Sequence, residues 1–415
     1  MAEGGIAAGQ PTAEGLVVGG PVPDRPATRR PAPGLIWLLG ALSGLGPFAL
    51  DVYLPALPAL SRGLHASAST GQLTLTTCMI GIACGQLIGG PISDSSGRRR
   101  PLLLALSIFT VSSLGCALAG SMALLIGLRL VEGVCGGFAA VLARAIIRDH
   151  HAGEAAARGY AALMAIGGIA PVLAPTAGGL LLKVTDWRGE FVMLALLGLI
   201  LTVTSAVAAP ESLAAEDRHS GGLRETLAAF RLLLRDREFM PHALSFSVAF
   251  GSMFAYISAS AFVLEDVFHM SPQLYGLVFA ANEAGLALMA ALGGRLLNHF
   301  TSVQLLRAGL VGVAMSAVMV LVVVLAQLGL WLLLPMLFIQ LSCQGLTLTN
   351  GVAVAMAGQS KRIGSASALL GFTQFAVGAL VAPLVGIGGS HDALPMAIVM
   401  ASCALGALLV GIRRQ

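Results

Sequence analysis

The chain has 415 residues, of which 56% are hydrophobic and only 11% charged. A soluble protein carries about 25% charged residues, so this chain lacks the polar surface to stand in water, and lipid must be its solvent over much of its length. Its formal net charge is +4, and the arginines are scattered among short connections rather than gathered in a patch, which argues against a nucleic-acid partner.

In chain order, residues 1–33 are rich in Gly, Pro and Ala, show no apolar period and read as a disordered tail. The first long apolar run begins near Leu35 and is too long for the core of a signal peptide. A helix needs roughly 20 apolar residues to cross a bilayer. Six such segments run near 35–60, 71–93, 101–120, 123–146, 159–183 and 188–209. Six more run near 241–264, 274–297, 302–326, 330–357, 364–388 and 393–412. The one long polar connection separates the two sets and carries Arg218, Arg224, Arg231, Arg235 and Arg237. The expected fold is therefore an all-α integral membrane protein with twelve transmembrane helices in two six-helix bundles. The bundles would span 34–210 and 241–412, with a linker at 211–240.

Lys and Arg placement sets the orientation. With the N-terminus inside, Arg25, Arg29, Arg30, Arg98, Arg99, Arg100, Arg144, Arg148, Arg158 and the linker arginines are cytoplasmic. So are Arg295, Arg307, Lys361, Arg362, Arg413 and Arg414, whereas only Arg62, Lys183 and Arg188 fall outside and Arg129 lies within a span. Both termini are expected in the cytoplasm. Gly90-x-x-x-Asp94 closes the second span and Gly294-x-x-x-Asn298 the eighth, a faint internal repeat consistent with two related halves.

An ionisable group at membrane depth is costly unless it faces a cavity or a partner. Asp51, Arg129, Glu132 and Glu283 are such groups. At 1.5 Å per residue, Asp51 stands about 24 Å above the inner end of span one, and Arg129 about 9 Å below the outer end of span four. The two heights match across a core about 30 Å thick, so Asp51 and Arg129 can pair if the spans are neighbours. Glu132 shares the Arg129 face of its helix. Such a cluster binds or releases a proton with a change of net charge, as a proton-coupled carrier requires; a permanent ion pair locking two helices is the structural alternative. Glu283 fits a cavity or a helix contact equally well. Phe48, Tyr53, Phe254, Tyr256, Gln340 and Gln344 are candidates to line an apolar cavity for an amphiphilic molecule, although helix packing explains any one of them.

Span five carries Gly167, Pro171, Pro175 and Gly179 at four-residue steps, beside a second stripe of Ala170, Ala174 and Gly178. Span eight offers Gly276, Ala280 and Ala284. Small faces let backbones approach closely, and contact between these two would seal one route through the protein. The six cysteines show no metal-ligand spacing and read as small packing residues. No metal, cofactor or enzyme motif is found.

Taken together, these residues resemble the major facilitator superfamily. Gly90-x-x-x-Asp94-x-x-Gly97-Arg98-Arg99-Arg100 is similar to its loop signature, Arg129-x-x-Glu132-Gly133 to its span-four arginine motif, and Ala174-Pro175-x-x-Gly178-Gly179 to its antiporter motif. The stretch Asp51-Val52-Tyr53-Leu54-Pro55-Ala56-Leu57-Pro58, with Trp187-Arg188-x-x-Phe191 and Gly364-Ser365-Ala366-Ser367, resembles the Bcr/CflA group of drug:proton antiporters.

The resemblance implies a monomeric exporter in the bacterial inner membrane, driven by protons rather than a cofactor and working by a rocker switch. It implies that Asp51 is the proton-linked acid with Arg129 as its partner. It also places Asp94 at the start of span eleven near Gly364, and gives Arg98 to Arg100 the role of closing a cytoplasmic gate. Two positions depart from the pattern: Ser95 stands where a basic residue is usual, and Glu132 where a neutral one is, which leaves the coupling ratio open. A proton symporter for a sugar, peptide or amino acid is the alternative reading, and the antiporter motif argues against it.

Overall fold

The computed structural model describes residues 33–150, 153–218, 230–359, 363–386 and 392–412. The segment read as a tail therefore lies, but for Pro33, outside the described residues, as do the middle of the linker and Lys361, Arg362, Arg413 and Arg414. Among the described residues, 12 helices are long and apolar enough to cross a membrane. Spans one to six are Pro33–Asp51 with its continuation Leu57–Gly63, Ala68–Ser96, Arg99–Ala117, Met122–His150, Gly153–Leu181 and Trp187–Ala208. Spans seven to twelve are Phe239–Ala261, Pro272–Leu296, Ser302–Leu325, Leu330–Met356, Ile363–Val385 and Leu394–Ile412.

Local sequence sets several of these ends. Ser67, Asp186 and Ser271 accept the backbone N–H groups of Thr70, Arg188 and Leu274, and Thr301 with Gln304 forms a capping box. Three ends differ from the sequence reading. Span one breaks after Asp51 into a 3-10 turn, Leu54–Ala56, because Pro55 and Pro58 lack the N–H an unbroken helix would use. Span seven runs on through a π-helical turn, Phe262–Val267. The segment from Gly90 to Ser96, read as part of a loop, is the last two turns of span two; the chain turns at Gly97, whose φ is +89°.

The packing repeats after six spans. Two lies on four, three on six and on four, and one on five and on four; eight lies on ten, nine on twelve and on ten, and seven on eleven and on ten. Glycine makes the tightest of these contacts possible. Gly133 and Gly137 sit against the carbonyls of Cys78 and Ile82 between spans four and two, and Gly345 sits against that of Leu286 between spans ten and eight; a Cβ at any of the three would strike backbone.

Spans five with eight and two with eleven join the first six to the last six. Arg62 to Asp266 (2.8 Å), Gln72 to the Ser258 carbonyl (3.1 Å), Thr176 to the Gly276 carbonyl (3.2 Å) and Gln273 to the Gly179 carbonyl (3.0 Å) are polar links between them. All lie at the end of the molecule opposite Arg98 to Arg100, so the halves are clasped at that far end.

Candidate functional site

Arg129 is fully buried in the middle of the first six spans. Its guanidinium forms an ion pair with Glu132, one turn along span four, and donates to the Ala49 carbonyl of span one at 3.0 Å. It lies over the Tyr53 ring, 4.5 Å from the centroid, and 5.7 Å from that of Phe191. Glu132, also fully buried, takes further hydrogen bonds from Ser113 (2.7 Å) and, weakly, from the Cys116 thiol (3.9 Å) of span three. Every charge in this pair is matched inside one half.

Asp51 differs from the expectation that it pairs with Arg129: no ion pair joins them. The i, i+3 spacing of Arg129 and Glu132 on one helix makes their pairing the shorter reach. Asp51 is buried and its Oδ1 has no donor. Arg129 of its own half and Glu283 of the other are the charged side chains in electrostatic range of it. Glu283 is likewise buried at 6% exposure. The site therefore holds two buried acids, one in each half, that influence one another electrostatically, with one arginine of the first half already engaged.

The cavity candidates divide. Phe48 is partly exposed. Tyr53, Phe254, Tyr256, Gln340 and Gln344 are buried in helix contacts, which corrects the expectation that they line an open cavity. The Tyr53 hydroxyl bonds Thr74 at 2.9 Å, and Tyr256 accepts from Asn282 at 2.7 Å while stacking on Phe279. Gln340 donates to Ser252 and Gln344 to the Ala249 carbonyl, tying span ten to span seven. Phe254 stacks on Phe250, which meets the partly exposed Phe375 edge-on.

At the opposite end, the basic motif is a structural knot. Arg98 is 2% exposed and binds Asp94 (2.6 Å), Asp149 (2.9 Å) and Ser93 (2.7 Å). Glu211, at the start of the linker, accepts the backbone N–H groups of Arg98 (2.7 Å) and Arg99 (3.2 Å). It packs so close to Gly97 that a Cβ there would lie 2.6 Å from its oxygen. Burial raises the Glu211 carboxyl, but those N–H groups, that of Leu213 and the charge of Arg218 outweigh it and hold the carboxyl below its ordinary value. Arg99 donates to the Ala206 carbonyl, and Arg100 is exposed.

These contacts stay within the first half and bridge no gate in this state. Asp94 is bound by Arg98 and, at 3.9 Å, by Arg148; the partner expected for it, the start of span eleven at Gly364, borders residues 360–362, outside the described residues. Asp149 and Glu211 were not singled out by sequence. A lone acid at the end of a span, level with a buried arginine, was the available signal.

The small faces of spans five and eight meet at the far end. A Cβ on Gly276 would strike the Pro175 carbonyl, and one on Gly179 the Pro272 carbonyl. Gly178 points the other way, against the Val52 carbonyl and the Glu190 carboxylate. Gly167 lies against Gly44 and Ser43 of span one, and Pro171 is partly exposed.

Twelve spans, a six-span packing repeat and cross-half acids at membrane depth define a transporter built for alternating access. Residues 36–383 match the family model of the Major Facilitator Superfamily, and the chain belongs to that superfamily. It is 37% identical over 372 residues to a transporter of Bacillus subtilis called uncharacterized MFS-type transporter YdgK, covering 88% of this chain and 91% of that one. It is 28% identical to a bicyclomycin resistance protein homolog of Haemophilus influenzae, covering 89% and 92% of the two chains. With a chloramphenicol resistance protein of Pseudomonas aeruginosa it shares 31% identity over 66% of this chain and 65% of the other. Among solved structures, a D-xylose-proton symporter superimposes with a TM-score of 0.70 at 16% identity, covering 92% of this chain and 97% of that one, a likeness of fold. The protein is a multi-pass transporter of the bacterial inner membrane.

Proposed function

We propose that this protein exports amphiphilic small molecules, drugs among them, in exchange for protons, and that Asp51 carries the exchanged proton. It moves its substrate unconverted and as a monomer, with no cofactor beyond the proton gradient. Both termini lie in the cytoplasm, so the clasped far end is the periplasmic side, and the state described is closed there.

The observation that carries this reading is the contrast at Asp51: a buried carboxylate with an oxygen lacking any donor, under the charge of Glu283 from the other half, while the charge of Arg129 is taken by Glu132. A bare carboxylate in such a place is costly, and binding a proton removes the cost. The cycle follows. With the outer end open, Asp51 takes a proton from the periplasm as substrate leaves. The halves then close outside and part inside, water reaches Asp51, the proton departs to the cytoplasm, and substrate binds. The names of the resistance proteins among the relatives support an amphiphilic drug as one such substrate.

The test is proton movement in energised inverted vesicles. Their internal pH is followed with a quenched dye while chloramphenicol, bicyclomycin and a panel of amphiphilic metabolites are added singly. Fluorescence recovery with one compound, lost in Asp51→Asn, is the expected result. Recovery that persists undiminished in Asp51→Asn would falsify the assignment of the proton to Asp51.

A further inference from the structure

A second set of acids stands at the periplasmic clasp. Glu190, in the first turn of span six, is fully buried and neither of its carboxylate oxygens has a hydrogen-bond partner. It lies under the Gly178 backbone of span five, where an added Cβ would be 3.2 Å from its oxygen. That is one residue from the point where Gly179 meets span eight. Glu265 belongs to the π-helical turn that ends span seven, in the other half, and its Oε1 is also buried without a partner. The two acids are in electrostatic range of each other.

The neighbouring charges do not neutralise them. Asp266, next to Glu265, adds to the repulsion; Arg62, held by Asp266 at 2.8 Å and largely exposed, offsets it only in part. Arg188, next to Glu190, turns away to the carbonyls of Ala117 and Ala119 and the ring of Trp187. Asp186 caps the helix at the Arg188 N–H, and Lys183 is exposed. Tyr275 of span eight, which Glu265 also influences, gives its hydroxyl contact to Ser260 at 3.0 Å.

Two carboxylates with buried, donor-less oxygens, one from each half, would repel one another and lack solvation at those oxygens in the closed clasp. Opening the clasp separates the halves and admits water, which removes both penalties. The geometry points to a second proton-binding site: Glu190 and Glu265 together hold at least one proton while the periplasmic end is closed and release it when that end opens. The pair is thus a latch read by external pH. Acid outside favours closure, the same condition that loads the carrier with its transported proton, so loading and closing are driven by one signal. The latch proton enters and leaves on the periplasmic side and is not itself carried across. This inference rests on the proton-coupled, periplasmic-clasp reading above and deepens it.

The test is the distance between spin labels at Leu118 and Leu328, exposed residues at the periplasmic ends of spans three and nine. The labels are placed on a background with the native cysteines replaced, in nanodiscs, between about pH 5.5 and 8.5, a range wide enough for a buried acid to change protonation. The expected result is a short distance at low pH that lengthens as pH rises, and a distance that stays short at all pH in Glu190→Gln/Glu265→Gln. An unmodified pH response in that double variant, or no response in the unsubstituted protein, overturns the latch. Should the double variant fail to fold, Glu265→Gln alone is expected to reduce the response, and an unchanged response overturns the proposal equally. Asp51→Asn, measured alongside, is expected to keep the distance response while losing efflux. Loss of the response in Asp51→Asn with retention in the double variant would reject the latch and leave the proton role of Asp51 standing.

Discussion

Glu132 and Asp51 are both buried acids at membrane depth near the same arginine, yet one is surrounded by donors and the other by none. Glu132 has Arg129, Ser113 and Cys116, all from its own half, and its contacts are indifferent to how the halves sit. Asp51 has an unpartnered oxygen and an acid from the opposite half in range, so its surroundings change whenever the halves move. A charge satisfied within one rigid unit builds the structure, whereas an acid facing across the moving interface can report and drive motion. The same division separates Arg98, bound to three side chains of its own half, from Glu190 and Glu265 at the clasp.

The sharpest way to break this comparison is to exchange the outcomes. Arg129→Ala strands Glu132 in an apolar interior with only a hydroxyl and a thiol, and removing one partner of a buried pair costs about 3–5 kcal/mol. A large fall in Tm in detergent is expected, partly recovered in Arg129→Ala/Glu132→Gln. Asp51→Asn, which removes a carboxylate with a donor-less oxygen, is expected not to lower Tm while abolishing proton-linked efflux. An Arg129→Ala protein with unchanged Tm would erase the distinction.

Arg98→Ala comes next, since it leaves Asp149 and Ser93 short of a charged donor. A loss of about 1.5–3 kcal/mol is expected for such bonds, read as a lower Tm and freer proteolysis at the linker. The smallest effect concerns Glu211. Its carboxyl is held below the ordinary value of 4.5 in the folded chain, so its contribution is present above that value and is lost as pH falls beneath it. Glu211→Gln is expected to flatten the dependence of Tm on pH in that acid window and leave it unaltered at neutrality.

The spans were legible because twenty apolar residues in a row have few other uses, and the arginines between them marked the connections. The small faces of spans five and eight were legible for a related reason: Gly179, Pro175 and Gly276 recur at the step a helix face requires, and they meet. The choice between the two candidate partners of Arg129 was only half legible: Glu132 shares its helix face, depth placed Asp51 level with it, and the structure gives the ion pair to Glu132. Glu190 and Glu265 were missed because each stands at a helix end, where an acid normally meets water. Packing between distant segments buries Glu190 and half-buries Glu265 instead. Tyr256 and Gln344 looked like cavity residues because polar groups in a span invite that reading; their bonds to Asn282 and the Ala249 carbonyl hold helices together instead.

The Glu211 clasp also has a mechanical meaning. The linker is riveted at both ends: at one by Glu211 to the backbone of Arg98 and Arg99, at the other by Asp236 to Gln359, just past span ten, and by Phe230 in an apolar cluster with Phe239, Ala355 and Leu369. Each half thus carries its own anchor for the connection, so the fixed points of the linker travel with the halves rather than between them.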